Sequence, residues 1–511
     1  MTWAGRAPLR ERIPLLAPGG IPLNTAVSGI RTAVRTVVGI ALLPMLISRI
    51  GATETGLFVF ATTLTGYFTA VELGLATSVT KYVAEYRATG ADAHLNTVMR
   101  GSTALMAGLG LLIALGLTGF AFAVGEDLFG DPAVRSEAIP TLLVAAGTAI
   151  LYWPSRIGVA ALEGLERYDL SAFLQIVSSV ITLGVLYWIT GFSDSVPLIT
   201  AVFGAILVLE GVAAAALAWP HLSLKRGHGR WTGRELRPML GFGAGLFVIG
   251  ISDTLVYSLD RTIVAGFVGA AAIVAYEAGL RPQNGVRAIS SLAGGALLSP
   301  MSRLFAQGKD ERARELVLIA SFIGVIVTTP IAILAIILAK PFVGAWLGTE
   351  YERYAVYVQI FTSYWIIHSN TGALSSAITG IGKLRVFVWL TVVGAVVTLA
   401  LSIALTAAWG TVGVIWGTVI PAFVGLPIWM HLALRQAGIP PRVYLREVVL
   451  PAYVPIALWT AACVGAAVLL DPRGWAGVVA FGGAALAIMW IALLPITRRK
   501  WIRAQSFSDD D

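Results

Sequence analysis

Apolar blocks long enough to cross a bilayer recur along almost the whole of this 511-residue chain. A helix needs about 20 predominantly apolar residues to span the hydrocarbon core. Such blocks fall near 27–48, 55–80, 101–124, 138–162, 169–190, 196–219, 238–268, 271–298, 314–338, 354–380, 385–407, 411–433, 448–470 and 475–497. Backbone amides in lipid must be satisfied within the spanning structure, so runs of this length read as helices. Charged residues make up only 13% of the chain, against about 25% in a typical soluble domain. A soluble enzyme, a secreted disulfide scaffold and a disordered regulator are therefore excluded. The single cysteine, Cys463, lies in an apolar block and can form no internal disulfide.

The formal charge of +8 is explained by topology. With the N-terminus inside, alternate loops are cytoplasmic. They then hold 25 lysines and arginines, among them Arg6, Arg10 and Arg12, the group Lys225 to Arg237, and Arg498, Arg499 and Lys500. The outer loops hold 5: Arg49, Arg135, Lys340, Arg353 and Arg473. This bias predicts that both termini are cytoplasmic in a multi-pass protein of the cytoplasmic membrane. The basic excess is no nucleic-acid footprint. The loops are too short to fold as a catalytic domain, which begins at roughly 50 residues. Five dispersed histidines show no metal-ligand spacing, and no GxxxxGK[ST] phosphate loop occurs. No enzyme activity, cofactor or metal is expected, so the function must be carried out within the membrane.

An ungapped offset of 218 aligns Gly51 with Gly269, Ala88 with Ala306, Gly90 with Gly308 and Asp92 with Asp310. Six spans per unit would give parallel repeats related by an axis along the membrane normal, a transporter architecture. The expected fold class is thus an all-α polytopic membrane protein of about fourteen transmembrane helices. Two parallel six-helix lobes surround a central cavity, followed by two C-terminal helices. The expected divisions are an N-terminal segment 1–26, a first lobe 27–219, a basic linker 220–237, a second lobe 238–433, a loop 434–447, the last two spans 448–497 and a tail 498–511.

Charges inside spans are the informative residues, because each costs at least ~2.5–3.5 kcal/mol at mid-bilayer. The first span carries Arg31 and Arg35, four apart and so on one helical face. The second carries Glu72, the fourth Arg156 and the sixth Glu210, which has no local partner. The seventh carries Asp253, Asp260 and Arg261, and the eighth Glu277, Arg281 and Arg287. Some of these could serve only to pair with each other, Glu277 with Arg281 above all. Their concentration in the first two spans of each lobe instead points to a hydrated cavity. Arginine suits a phosphate group because its planar fork donates two hydrogen bonds at once. Arg31, Arg35, Arg156, Arg281 and Arg287 are the candidate substrate-binding cations. Glu72, Asp253, Asp260 and Glu277 are the candidates for ion coupling.

Three runs around the second span carry a family resemblance: Gly51-Ala-Thr-Glu-Thr-Gly-Leu-Phe-Val-Phe, Leu64-Thr-Gly-Tyr-Phe-Thr-Ala-Val-Glu-Leu-Gly-Leu-Ala and Val79-Thr-Lys-Tyr-Val-Ala-Glu-Tyr. So does Ala161-Leu-Glu-Gly-Leu-Glu-Arg-Tyr-Asp169 between spans four and five. The chain resembles bacterial polysaccharide and O-antigen flippases of the multidrug/oligosaccharidyl-lipid/polysaccharide exporter superfamily. The resemblance implies transfer of a polyprenyl-pyrophosphate-linked oligosaccharide between leaflets for surface-polysaccharide synthesis. It implies as partners this lipid-linked substrate, membrane lipids, protons or sodium ions, and other polysaccharide-assembly proteins. An ion-coupled multidrug antiporter of the same superfamily is the alternative, with Asp253, Asp260 and Glu277 meeting a cationic drug. A membrane-embedded polysaccharide polymerase or ligase would need a large outer loop, which this chain lacks.

Overall fold

The computed structural model describes residues 21–66, 69–90, 92–124, 132–222, 259–295, 309–381 and 385–506. Among these residues every regular element is helical. Among the described residues ten helices are long and apolar enough to cross a membrane. They coincide with the expected spans one, three to six, nine and eleven to fourteen. Of the other four, span two is described only on either side of residues 67–68, span ten is interrupted, span eight carries three charges, and span seven is described only from residue 259. Asp253 and most of the basic linker lie outside the described residues.

The chain divides into two compact units, Met1–Val274 and Ala275–Asp511. The first contains α1 (Ile21–Ile50), α2 (Ala52–Gly66), α3 (Thr69–Ala88), α4 (Asp92–Val124), α5 (Pro132–Gly164), α6 (Tyr168–Ile189) and α7 (Val196–Ala218). α1 begins six residues ahead of the expected start at 27. Pro22 sits in its first turn, where a missing amide hydrogen costs no helical bond.

The second unit opens within α8 (Ala270–Gly295) and continues through α9 (Asp310–Ile337). The tenth expected span is a chain of short pieces, including Ala355–Ser363, Trp365–His368 and Thr371–Ile381. At the last of these breaks Tyr444 donates its hydroxyl to Asn370 Oδ1 at 3.0 Å, and Asn370 Nδ2 donates to the Tyr453 hydroxyl at 2.7 Å. His368 packs edge-on against Trp365, ring centroids 4.8 Å apart.

The repeat offset recurs in the backbone. Gly51 and Gly269 both hold positive φ, +94° and +113°, at a turn opening directly into a helix. Only glycine takes such angles without strain. At the same offset, α4 starts at Asp92 and α9 at Asp310.

Outward faces are apolar to an extent water would not tolerate. Leu458, Val468 and Leu469, on a helix of the last pair of spans, are 72%, 77% and 85% exposed. Exposed tryptophans sit near helix ends, at Trp188, Trp389, Trp409 and Trp475, as in the aromatic belts of bilayer interfaces.

Helix α5 is held against α7 by small residues spaced seven apart. A Cβ added to Gly211 would stand 2.6 Å from that of Ser155, and one added to Gly204 would stand 2.5 Å from the Thr148 side chain. Such seams give close helix contact where lipid supplies no hydrophobic drive. Gly211→Val should therefore lower the detergent-solubilised protein's midpoint of heat aggregation by several degrees, since overpacking costs about 1–3 kcal/mol or more. Gly147→Val, on α5 but with nothing within 4 Å of its added Cβ, should leave it unchanged.

Candidate functional site

A cavity of about 670 Å³ opens in the first unit between α1, α3, α5 and α6. Its wall collects Arg31 and Arg35 from α1, Thr77 and Thr80 from α3, Arg156 and Glu163 from α5, and Tyr168 and Gln175 from α6. The four-residue spacing of Arg31 and Arg35 puts both on the cavity side of α1. Thr80 donates its hydroxyl to the Ala160 carbonyl at 3.1 Å, fixing α3 against α5.

A hydrogen-bonded chain orients the guanidinium groups. Arg31 Nη1 donates to Glu163 Oε1 at 3.3 Å, and both side chains are about a quarter exposed. The Ser171 hydroxyl donates to the same Glu163 oxygen at 3.2 Å and accepts from Gln175 Nε2 at 3.0 Å. Gln175 Oε1 in turn accepts from Arg35 Nη1 at 2.9 Å. Gln175 is buried, 3% exposed, so its amide is a fixed post rather than a waving surface group. Arg35 is exposed to the cavity and is bonded there to a neutral amide.

The third cation has a partner from a different helix. Arg156 Nη1 donates to Glu210 Oε1 at 3.2 Å, and the Ser178 hydroxyl donates to the other oxygen of Glu210. This answers the apparent isolation of Glu210 in its own span. Glu210 itself does not line the cavity. Among the described residues, three guanidinium groups and one carboxylate face this space, so its wall is net cationic.

The other residues expected at a site are placed elsewhere. In the second unit Arg281 Nε donates to Glu277 Oε2 at 2.9 Å, the pairing that their four-residue spacing allows. Arg287 is half-buried in the same helix. Asp260 is buried, 2% exposed, in the helical stretch 259–267 and lies outside the cavity lining. Glu72 falls within α3, and its side chain lies outside the described residues, as does Asp253 altogether.

Two residues of the site are not evident from spacing and charge cost. Glu163 is visible in the sequence only as part of a motif between spans, whereas α5 extends to Gly164 and carries it into the cavity. Gln175 belongs to a polar stripe, Ser171, Gln175, Ser178 and Thr182, at spacings of four, three and four. A stripe of that period in an apolar helix marks one inward face and is the signal that could have found it.

A family model described as "Polysaccharide biosynthesis protein" matches residues 90–356. No curated protein matches the sequence significantly. Among solved structures, the lipid II flippase MurJ in an inward closed conformation is similar over 92% of this chain and 99% of its own, with a TM-score of 0.68 and 14% identity. An inward-facing multidrug resistance MATE family transporter of the MOP superfamily is similar over 80% of this chain and 95% of its own, with a TM-score of 0.61 and 16% identity. A MOP superfamily transporter from Pyrococcus furiosus, whose binding pocket is described as reversed in polarity, follows at a TM-score of 0.55 and 16% identity. It covers 82% of this chain and 96% of its own. At these identities the likeness is one of fold, and the fold is that of the MOP transporters. With the family match extending over more than half of its length, the chain belongs to the polysaccharide biosynthesis protein family of multi-spanning membrane proteins.

Proposed function

We propose that the protein is a flippase that carries a polyprenyl-pyrophosphate-linked oligosaccharide across the cytoplasmic membrane by alternating access, without catalysis, for surface-polysaccharide synthesis. The observation that carries this is the cationic wall of the first unit's cavity, three arginines against one glutamate within a bundle of membrane-length helices. Several guanidinium forks can grip one anionic group together, each donating two hydrogen bonds at once. A cationic drug would meet the same guanidinium groups as repulsion. The substrate enters from the cytoplasmic side, the side on which the lysine and arginine bias of the sequence predicts both termini. Complementation tests this: expressed in a strain lacking its own flippase, the protein should restore surface polysaccharide, and failure at normal membrane levels counts against it.

Glu163 competes with the substrate for Arg31. The pair is a quarter exposed on each side and so worth only about 0–1 kcal/mol. An anionic headgroup can displace it, and the carboxylate can reclaim Arg31 once the headgroup leaves. Glu163→Gln should therefore tighten binding of inorganic pyrophosphate to the purified protein by several-fold while slowing export. Unchanged affinity would remove Glu163 from this role.

Coupling to protons or sodium falls to the intramembrane carboxylates Glu72, Asp253, Asp260 and Glu277, charges tolerated at such depth mainly where function or pairing offsets their cost. Asp260→Asn and Glu277→Gln should alter the ion dependence of transport in a folded protein. Transport with unaltered ion dependence would make both purely structural.

A further inference from the structure

We propose that a second cavity in the first unit, between α2, α5 and α7, is a saccharide subsite for the same substrate. It rests on the flippase function proposed above and adds to it where the sugar goes. The cavity holds about 290 Å³, near the space of ten water molecules at ~30 Å³ each, enough for one sugar ring. Five threonines surround it: Thr62, Thr63, Thr65, Thr148 and Thr200. Three of them spend their protons on their own helix. Thr62 donates to the Phe58 carbonyl at 2.9 Å, Thr63 to that of Val59 at 2.7 Å and Thr65 to that of Ala61 at 3.3 Å. What such hydroxyls offer the cavity is oxygen lone pairs.

No lysine, arginine, aspartate or glutamate is among the described residues lining this space. An ion would find no countercharge, so the matching group is neutral and rich in donors. The Thr200 hydroxyl makes the same point. It is 3% exposed and has no hydrogen-bond partner among the described residues, a state that buried polar groups rarely keep without a ligand or water. Tyr152 and Phe203 complete the wall. The Phe203 ring is braced edge-on by Phe58, centroids 5.4 Å apart. A sugar ring carries both complements, donor hydroxyls at its rim and an apolar C–H face that packs on aromatic rings.

Position agrees with chemistry. The arginine cavity touches α5 from Arg156 to Glu163, and the threonine cavity touches it from Ala145 to Tyr152. Tyr152 and Arg156 stand one turn apart, with the guanidinium 5.9 Å from the ring centre. At 1.5 Å per residue the two contact stretches are centred roughly 16 Å apart along the helix. An oligosaccharide bridges that distance while its phosphate remains with the arginines. Tyr152 and Arg156 then form the sill between phosphate and sugar.

Photocrosslinking in cells that make the polysaccharide captures the occupant, whichever sugar it carries. The azide analogue p-azidophenylalanine replaces Phe203 in the full chain, or Tyr168 as the companion in the arginine cavity. Intact-mass spectrometry and periodate glycan staining then read the adducts. The expected result is a glycan-bearing adduct at position 203, reduced several-fold by Thr200→Val, with the adduct at position 168 retained in the same variant. That retained adduct shows the unit is still folded. A phosphate-linked glycan at 168 with only an acyl chain, or nothing, at 203 overturns the subsite and leaves the flippase function standing. No phosphate-bearing adduct at either position overturns both.

Discussion

Export of surface polysaccharide should fall about a hundredfold or more in an Arg31→Ala/Arg35→Ala variant that reaches the membrane at normal levels. Hydrogen bonds to a charged group contribute about 1.5–3 kcal/mol each, so losing two guanidinium forks from the transported headgroup removes about 3–6 kcal/mol. Each 1.4 kcal/mol is a factor of ten. The single substitutions should order as wild type, then Arg35→Lys, then Arg35→Ala. Lysine keeps the charge and loses the planar fork, whereas alanine loses both. Arg35 is the sharper of the two sites, because its partner Gln175 is neutral and leaves its charge for the substrate. Arg31 shares its charge with Glu163, so Arg31→Ala should cost less than Arg35→Ala. Equal and full export by all of these variants would reduce the pair to packing.

The second large effect is on the fold. Arg156 and Glu210 form an ion pair whose side chains are 18% and 6% exposed. Removing one partner of a buried pair strands the other and typically costs about 3–5 kcal/mol. Arg156→Met alone should therefore sharply lower the amount of protein recovered in the membrane and its thermal midpoint. The double variant Arg156→Met/Glu210→Leu strands no charge and should recover most of both, because replacing a buried pair by apolar residues is often neutral. Export should stay low in the double variant, since the cavity still lacks the Arg156 guanidinium. Stability that returns together with full export would show that Arg156 only holds the helices together. Stability that fails to return would show that something other than the stranded charge is at fault.

Legibility in the sequence followed the physics of each feature. Membrane length and charge cost act locally, and so the spans, and the inward face of Arg31 and Arg35, could be read from spacing alone. Ten of the expected spans appear as membrane-length helices at the expected positions. The interruption of span ten at Ser369 and Asn370 was not legible, because its polar bonds come from Tyr444 and Tyr453, some eighty residues onward. Glu210 looked partnerless for the same reason: Arg156 reaches it from a helix 54 residues earlier. Pairing between helices is a tertiary fact. Glu163 was hidden by a boundary, since a few residues decide whether a glutamate ends a helix inside a cavity or sits in a loop. The stripe from Ser171 to Thr182 is different, because its period alone marks the inward face that carries Gln175.

On the proposed function, the arginine cavity of the first unit handles the phosphate end of a lipid-linked sugar during transfer between leaflets. The direct measurement uses purified protein reconstituted in vesicles with a fluorescent polyprenyl-pyrophosphate oligosaccharide placed in one leaflet, and follows its appearance in the other. Wild-type protein should equilibrate the lipid far faster than empty vesicles, and inorganic pyrophosphate should inhibit it. The Arg31→Ala/Arg35→Ala protein, matched for amount and thermal midpoint, should perform no better than empty vesicles. Transfer at the wild-type rate by that variant would remove the arginines from phosphate handling, and no transfer by the wild-type protein would overturn the flippase function.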